Sequence, residues 1–178
     1  MPKKPNRTHL YAAYGMNTSL ESMADRCPAA VPYRGNPRES TGVIKNHYLT
    51  FNRVADVRRP VRGKADTVQV ALWTVTDDCI AALDIFEGYP RFYTRRLVNV
   101  WTAESQRPFR ALIYVMTDSK SIGLPYAEYY DEVTYGYRDF GIPVSQLRNA
   151  VSEIIRKSSS PQTAHEYWQQ MEGCKSLY

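Results

Sequence analysis

A strand followed directly by a helix is encoded in residues 67–88, TVQVALWTVTDDCIAALDIFEG. Residues 67–75 alternate, with Val68, Val70 and Leu72 on one face, which is typical of a half-buried strand. Residues 77–87 follow as a helix, because Thr76 can cap its first turn and Gly88 can end it. This pair predicts a sheet that packs against helices.

Weaker signals on both sides extend the pattern. Strands are predicted at residues 8–14, 41–51, 92–103 and 109–116, and helices at residues 18–26, 125–140 and 144–156. Residues 52–66 are predicted to form a polar, basic loop, and residues 164–171 one more short helix. Strands dominate the centre and helices flank them irregularly, so the fold class is α+β. We predict one domain over residues 1–156 and a C-terminal tail over residues 157–178.

Length and composition exclude several classes of protein. A chain of 178 residues that is 43% hydrophobic can bury a core without disulfides or a structural metal. The cysteines, Cys27, Cys79 and Cys174, lie far apart, which excludes a zinc ribbon and a disulfide scaffold and favours the reducing cytoplasm. The three histidines are equally scattered, so we expect no metal site, and no motif indicates a cofactor. No apolar stretch approaches the roughly 20 residues that span a bilayer, and no signal peptide is evident.

The net charge of +5 raises the question of an anionic partner. The densest basic cluster, residues 58–64, is interpreted as a solvated loop, with a phosphate-binding patch as the alternative. Cys27 follows Arg26, which could lower the pKa of a thiol. No histidine lies near it in sequence, so we interpret Cys27 as structural.

Glu87 is an acidic residue at a helix position that normally favours an apolar or a basic side chain. At 100° per residue it lies almost directly above Ile80 and one turn beyond Leu83, on the apolar stripe of the helix, whereas Asp84 turns away from the centre of that stripe. An acid in the last turn also opposes the helix dipole. A carboxyl group that faces a semi-apolar pocket has a raised pKa, which suits a general base. The alternative is that Glu87 turns outward at the helix end.

A second candidate site is the turn after the first strand, Tyr14-Gly15-Met16-Asn17. A glycine there allows a close approach of the backbone to a ligand, and successive N–H groups near a helix start can bind a small anion such as a carboxylate. A plain β-turn is the simpler interpretation. Three tyrosines, Tyr93, Tyr114 and Tyr129, are core residues on sequence alone, and a buried hydroxyl among them would need a partner.

Taken in order, these motifs carry a family resemblance. They are Tyr11-Ala12-Ala13-Tyr14-Gly15-Met16-Asn17, Arg26-Cys27-Pro28, Tyr48-Leu49-Thr50-Phe51, Val70-Ala71-Leu72-Trp73, Leu83-Asp84-Ile85-Phe86-Glu87-Gly88, Tyr93, Tyr114-Val115-Met116, and Tyr129 through Gly141-Ile142-Pro143. Over roughly residues 9–156 the chain resembles the γ-glutamylcyclotransferase-like family, which includes glutathione-degrading, γ-glutamylamine-cleaving and plant avirulence-induced members.

The resemblance implies a mixed β-barrel flanked by helices, with a cavity at one mouth. It implies that the backbone amides of residues 14–17 hold the α-carboxylate of the substrate, that Glu87 is the acid/base, and that Tyr114, with Tyr93 and Tyr129, lines the substrate site. One departure is Met16, which stands where the family's turn usually has serine, so a hydroxyl donor is lost while the backbone donors remain.

The implied reaction is a cyclotransferase (or lyase) reaction on a small γ-glutamyl amine or peptide, which releases 5-oxoproline without a metal or cofactor. We expect no membrane or nucleic-acid partner for such an enzyme. The alternative is a non-catalytic binding or regulatory protein on the same scaffold, which would contact nucleic acid or another protein through residues 58–64.

Overall fold

The computed structural model describes residues 7–60, 66–158 and 161–174. These residues contain eight strands and five α-helices. The strands are β1 Thr8–Ala13, β2 Val31–Pro32, β3 Thr41–Lys45, β4 Tyr48–Asn52, β5 Val54–Arg58, β6 Thr67–Thr76, β7 Tyr93–Val100 and β8 Phe109–Met116. The helices are α1 Leu20–Arg26, α2 Asp77–Phe86, α3 Ala127–Phe140, α4 Ser145–Lys157 and α5 Pro161–Cys174. Short 3-10 turns lie at Met16–Thr18 and Pro37–Glu39.

Strand β6 organises a six-stranded mixed sheet. β1, β2 and β3 pair antiparallel with β6, β1 also pairs parallel with β8, and β7 pairs antiparallel with β8. A bridge between Val43 of β3 and Trp101, just beyond β7, joins the two sides of the sheet through N···O contacts of 2.7 and 2.9 Å. The sheet therefore curls round on itself, and the predicted α+β fold with a mixed barrel and flanking helices is confirmed.

The prediction of one strand over residues 41–51 is wrong. The chain turns at Asn46, which adopts φ +57°, and so separates β3 from β4. Asparagine is among the few residues that adopt this left-handed conformation at low cost, so the turn falls at the position where the chain can make it. β3 joins the main sheet, whereas β4 pairs with β5 in a separate two-stranded sheet.

The prediction that residues 52–66 form a loop is also wrong over β5. Asp56 and Arg58 made this stretch look polar, yet both side chains are buried, and Arg58 Nε lies 2.6 Å from Asp56 Oδ2. An ion pair inside the protein therefore concealed a strand. Residues 61–65 of the predicted loop, which include residues 61–64 of the basic cluster, lie outside the described residues.

The helices begin and end close to the predicted positions, and local hydrogen bonds explain why. Ser19 Oγ caps α1 by accepting from Ser22 N at 3.1 Å, and Thr76 Oγ1 caps α2 by accepting from Cys79 N at 3.2 Å. Thr18, predicted as the first residue of the first helix, belongs to the 3-10 turn at Met16–Thr18 instead. α5 is longer than the predicted helix at residues 164–171.

One continuous core of apolar side chains fills the sheet and the helix faces packed on it. Helix α5 contributes Tyr167 and Met171, which are 9% and 2% exposed, so the tail is packed on the core. The boundary between a domain at residues 1–156 and a separate tail stays a prediction. In the part of the chain that the structure describes, no helix combines the length and apolar character needed to cross a bilayer.

Candidate active site

The turn after β1 is held against helix α3. Thr18 closes it with two bonds to Gly15 O, from its backbone N at 3.0 Å and its hydroxyl at 2.8 Å. A Cβ at Gly15 would lie 2.7 Å from the hydroxyl oxygen of Tyr129 and 3.3 Å from Ala55 Cβ. A side chain at this position would collide with Tyr129. The φ of Gly15 is −113°, which any residue can adopt, so the close approach and not the backbone conformation explains the glycine.

Glu87 follows the last residue of α2 at a rigid helix end. Gly88 adopts φ +62°, Gly88 N donates to Ile85 O at 3.2 Å, and Tyr89 N donates to Asp84 O at 2.9 Å. This is the Schellman arrangement, in which glycine takes the left-handed position that ends the helix. It fixes the backbone of Glu87 and leaves the side chain half-buried.

These two features meet at a cavity of about 210 Å³. Its walls are Tyr11, Tyr14, Gly15, Met16, Asn17, Val54, Ala55, Phe86, Glu87, Tyr93, Tyr114 and Tyr129. All eight site residues expected from the sequence are among them. The side chain of Glu87 therefore lies inward, and the alternative in which it turns outward does not describe the structure.

Asn17 connects the turn to Glu87. Asn17 Nδ2 donates to Glu87 Oε1 at 2.8 Å and to the Tyr11 hydroxyl at 2.9 Å, while Asn17 Oδ1 accepts from Arg26 Nη1 at 2.6 Å. Trp73 Nε1 donates to Asn17 O at 3.0 Å and holds the backbone of the turn. Asn17 is 3% exposed, and each polar atom of its side chain has a partner.

The pKa of Glu87 is raised to about 7. Burial is the main cause, because a carboxylate loses favourable contact with water there. The positive charge of Arg26 and the hydrogen bond from Asn17 act in the opposite direction. A carboxyl group with this pKa can both take and return a proton at neutral pH.

The tyrosines of the cavity fall into two groups. Three donate their hydroxyl proton within the protein: Tyr14 to Tyr114 O at 2.7 Å, Tyr93 to Ala55 O at 2.7 Å, and Tyr114 to Asp84 Oδ1 at 2.7 Å. Tyr11 and Tyr129 instead accept, from Asn17 Nδ2 and from Ala55 N. A phenol that accepts retains its proton for another partner, so the latter two hydroxyls can donate to a ligand.

Sequence reasoning missed five wall or supporting residues: Tyr11, Arg26, Val54, Ala55 and Phe86. The sequence motifs include Tyr11, Arg26 and Phe86, but the sequence assigned none of the three to the site, and Arg26 was considered only as a neighbour of Cys27. The position of Arg26 concealed its signal, because a cation in the last turn of a helix is already explained by the helix dipole. Val54 and Ala55 were missed together with β5.

A second cavity of about 640 Å³ adjoins the first and shares Met16 and Tyr129 with it. Its remaining walls are Glu21, Ser22, Asp25, Tyr126, Glu128 and Glu132. A substrate that extends out of the first cavity past Met16 would therefore meet carboxylates.

The other candidate residues have structural partners. Burial raises the pKa of the Cys27 thiol to about 12, so it is not an activated nucleophile. Arg58, the first residue of the basic cluster, donates to Asp118 O and Ser121 O as well as to Asp56, and is not available to a phosphate. Among the described residues, no group of His, Cys, Asp and Glu could hold a metal ion.

Known proteins of the same fold share the curled sheet and its helices. A solved structure of a gamma-glutamyl cyclotransferase superposes with a TM-score of 0.67 at 20% sequence identity, covering 85% of this chain and 99% of that one. The human protein loc79017 gives a TM-score of 0.65 at 22% identity, covering 79% of this chain and 85% of its own. YkqA from Bacillus subtilis gives 0.62 at 16% identity, covering 82% and 55%.

At the level of sequence, no curated protein matches the chain. A family description, "Gamma-glutamyl cyclotransferase, AIG2-like", matches residues 12–132, which contain the Gly15 turn, Glu87, Tyr93, Tyr114 and Tyr129. This match spans more than half of the chain. The chain therefore belongs to the AIG2-like gamma-glutamyl cyclotransferase family.

Proposed function

We propose that the protein converts a γ-glutamyl amine or γ-glutamyl peptide into 5-oxoproline and a free amine, with Glu87 as the acid–base group. One observation carries the proposal: the carboxyl group of Glu87 and the turn at Gly15 line the same cavity. Asn17, which belongs to the turn, donates a hydrogen bond to Glu87 and so connects the two. We expect the reaction to take place in the cytoplasm, where thiols such as Cys27 and Cys79 stay reduced.

The chemistry starts from the α-ammonium group of the substrate. Glu87, as the carboxylate, takes a proton from it, and the free amine attacks the γ-carbonyl carbon of the same molecule. A new C–N bond closes a five-membered ring, and a tetrahedral oxyanion forms. The leaving nitrogen takes the proton that Glu87 received, the C–N bond to it breaks and the carbonyl re-forms. The ring nitrogen gives up its second proton to Glu87, which passes it to the departing amine and is the carboxylate again.

The protein's remaining task is to hold the substrate in the conformation that closes the ring. An intramolecular attack needs no second molecule, so correct positioning removes a large part of the barrier. In this proposal the amides of residues 15–17 bind the α-carboxylate, and the hydroxyl protons of Tyr11 and Tyr129 are available to the carboxylate or the oxyanion. The rings of Tyr14, Tyr93 and Tyr114 shape the pocket.

The test is a panel of γ-glutamyl compounds with 5-oxoproline measured by mass spectrometry. The panel should contain neutral and cationic leaving amines, because the adjoining cavity is lined by carboxylates. We expect at least one compound to yield 5-oxoproline, and Glu87→Gln to reduce kcat by about 10²–10⁴-fold, the usual contribution of a general acid–base group.

Glu153→Gln is the matched control. Glu153 lies exposed on α4, where it pairs with Arg156, so the same change of charge there should leave kcat unaltered. Absence of product from every compound would contradict the proposed activity. Undiminished product from Glu87→Gln would leave the activity but assign the proton transfer to another group.

A further inference from the structure

Arg26 touches three parts of the site from outside the cavity. It is the last residue of α1 and is half-buried. Its guanidinium donates from Nη1 to Asn17 Oδ1 at 2.6 Å, lies with Nη2 3.0 Å from Met16 Sδ, and stacks 3.5 Å from the centre of the Phe86 ring. Arg26 is thus bound to the turn on one side and to the residue before Glu87 on the other.

The contact with Asn17 decides which way the Asn17 amide faces. A guanidinium has donors and no acceptor, so the amide oxygen must face Arg26. The amide nitrogen then faces Glu87 and donates to Oε1. With the amide reversed, its oxygen would oppose the carboxylate oxygen and its NH₂ group would oppose the guanidinium, and both contacts would be repulsive.

Arg26 also supplies positive charge to the surroundings of Glu87. Among the described residues no ion pair joins Arg26 directly to Glu87. Asn17 connects them, because its side chain is hydrogen-bonded to both. The other titratable groups that face Glu87 are Tyr11 of β1, Tyr14 in the turn after β1, Tyr93 of β7 and Tyr129 of α3. Burial raises the pKa of each of these phenols, so they stay neutral near pH 7.

We propose that Arg26 is a positioning residue for the acid–base group: it orients the Asn17 side chain so that Asn17 Nδ2 donates to Glu87, and it places a positive charge behind that bond. The proposal rests on the proposed function in taking Glu87 as the acid–base group. Arg26 does not touch the cavity, so it acts on the reaction through Asn17 and Glu87.

The experiment replaces Arg26 by methionine, which matches the unbranched stem of arginine as far as Nε and removes its charge and donors. Two readouts follow the ionisation of Glu87: the acidic limb of kcat/KM against pH, and a ¹³C NMR titration of the Glu87 carboxyl carbon, assigned by its absence in Glu87→Gln. We expect both midpoints to rise by about 1 unit. kcat/KM should then fall about fivefold at pH 7 and largely recover at pH 9.

Three comparisons interpret the result. Arg26→Lys keeps the charge and one donor, so its midpoints should stay close to wild type. Arg110→Met removes an exposed arginine of β8 and should shift neither midpoint. Asn17→Ala removes the connecting amide but keeps Arg26, and should also raise the NMR midpoint. This variant keeps the proposal testable if Arg26→Met does not fold.

Folded Arg26→Met with unchanged midpoints would overturn the proposal, even if its activity were reduced. So would an unchanged midpoint in Asn17→Ala. The NMR titration does not require turnover, so it tests Arg26 even if the wild-type protein makes no 5-oxoproline. A wild-type protein that makes no 5-oxoproline would count against the proposed function and not against the role of Arg26.

Discussion

Glu87 is held where ionisation costs free energy. Its folded pKa of about 7 lies above the ordinary value of 4.5, so between these two pH values the folded protein binds more protons than the unfolded chain. The free energy of unfolding must therefore fall as the pH rises through this window. The protein retains an acid that destabilises it above pH 7, as expected where a side chain serves a reaction.

Glu87→Gln should consequently stabilise the protein while it removes the proposed acid–base group. Glutamine can still accept from Asn17 Nδ2 and carries no charge to bury. We expect the free energy of unfolding at pH 8 to rise by on the order of 2 kcal/mol, and that at pH 4 to change little. Urea unfolding of both proteins at the two pH values measures this, and an equal effect at both would contradict the raised pKa.

Gly15→Ala tests the close approach between the turn and helix α3. The new Cβ would lie 2.7 Å from the Tyr129 hydroxyl, which must move and lose its bond from Ala55 N. We expect a loss of about 1–3 kcal/mol in the free energy of unfolding. Gly123→Ala is the matched control, because its Cβ would come no closer than 3.6 Å to Asn52 Oδ1. Equal stability of the two variants would argue against the close packing at Gly15.

At the scale of single residues the sequence indicated Glu87 and Asn17 but not Tyr11 and Arg26, which contact Asn17. Glu87 could be found because the 100° periodicity of one helix places it on the apolar stripe. Tyr11 and Arg26 reach Asn17 from a different strand and helix, and no local period encodes such contacts. The resemblance brought the turn and the three tyrosines to one site, but it could not distinguish phenols that donate inward from those that accept.

Among the elements, helix α3 must come very close to the 3-10 turn at Met16–Thr18. A Cβ at Gly136 of α3 would meet Thr18 Oγ1 and lie 2.5 Å from Ser19 N, which is backbone and cannot move aside. Alanine is normally better than glycine inside a helix by about 1 kcal/mol. The glycine is therefore explained by packing and not by helix formation.

Gly136→Ala should destabilise the protein by about 1–3 kcal/mol despite the gain in helix propensity. We also expect lower activity, because the turn that carries Asn17 would be displaced. Tyr135→Ala, at the adjacent exposed position of the same helix, should change stability much less. Thermal unfolding of both variants decides between these results, and a Gly136→Ala protein more stable than wild type would contradict the packing argument.

The elements that sequence reasoning placed well are those with continuous patterns. β6 alternates, α2 has signals at both ends and β8 contains a continuous apolar run, whereas β5 has a buried acid and base that are typical of a polar loop. The pairing of Asp56 with Arg58 is a contact between side chains two residues apart, and its burial depends on β8, whose Met116 N donates to Asp56 Oδ1 at 2.9 Å. Such a partner is not visible in the local sequence.

At the scale of the whole molecule, the C-terminal helix contributes to the core. Tyr167 and Met171 are buried, Trp168 packs edge-to-face with Tyr130 at 6.3 Å, and the Tyr167 hydroxyl donates to Pro125 O at 3.3 Å. Pro125 and Tyr130 flank Tyr129 in sequence, so α5 supports the segment that forms one wall of the cavity.

Truncation after residue 158 should therefore destabilise the remaining chain by about 3–6 kcal/mol, since two or three large apolar side chains lose their burial. Met171→Ala is a milder variant, with an expected loss of about 2–5 kcal/mol, and Gln169→Ala at an exposed position is its control. Urea unfolding of the three proteins checks this. Wild-type stability in the truncated chain would instead establish residues 1–158 as a self-sufficient domain.

The parallel contact between β1 and β8 has a consequence for the newborn chain. β1 leaves the ribosome before the two strands that flank it, which begin at residues 67 and 109. Tyr129, which lines the cavity beside Gly15, is synthesised after both of these strands. A polypeptide interrupted before Tyr129 already contains Glu87 but lacks one wall of the cavity, so the compartment around that carboxyl group is complete only once residue 129 has joined the fold.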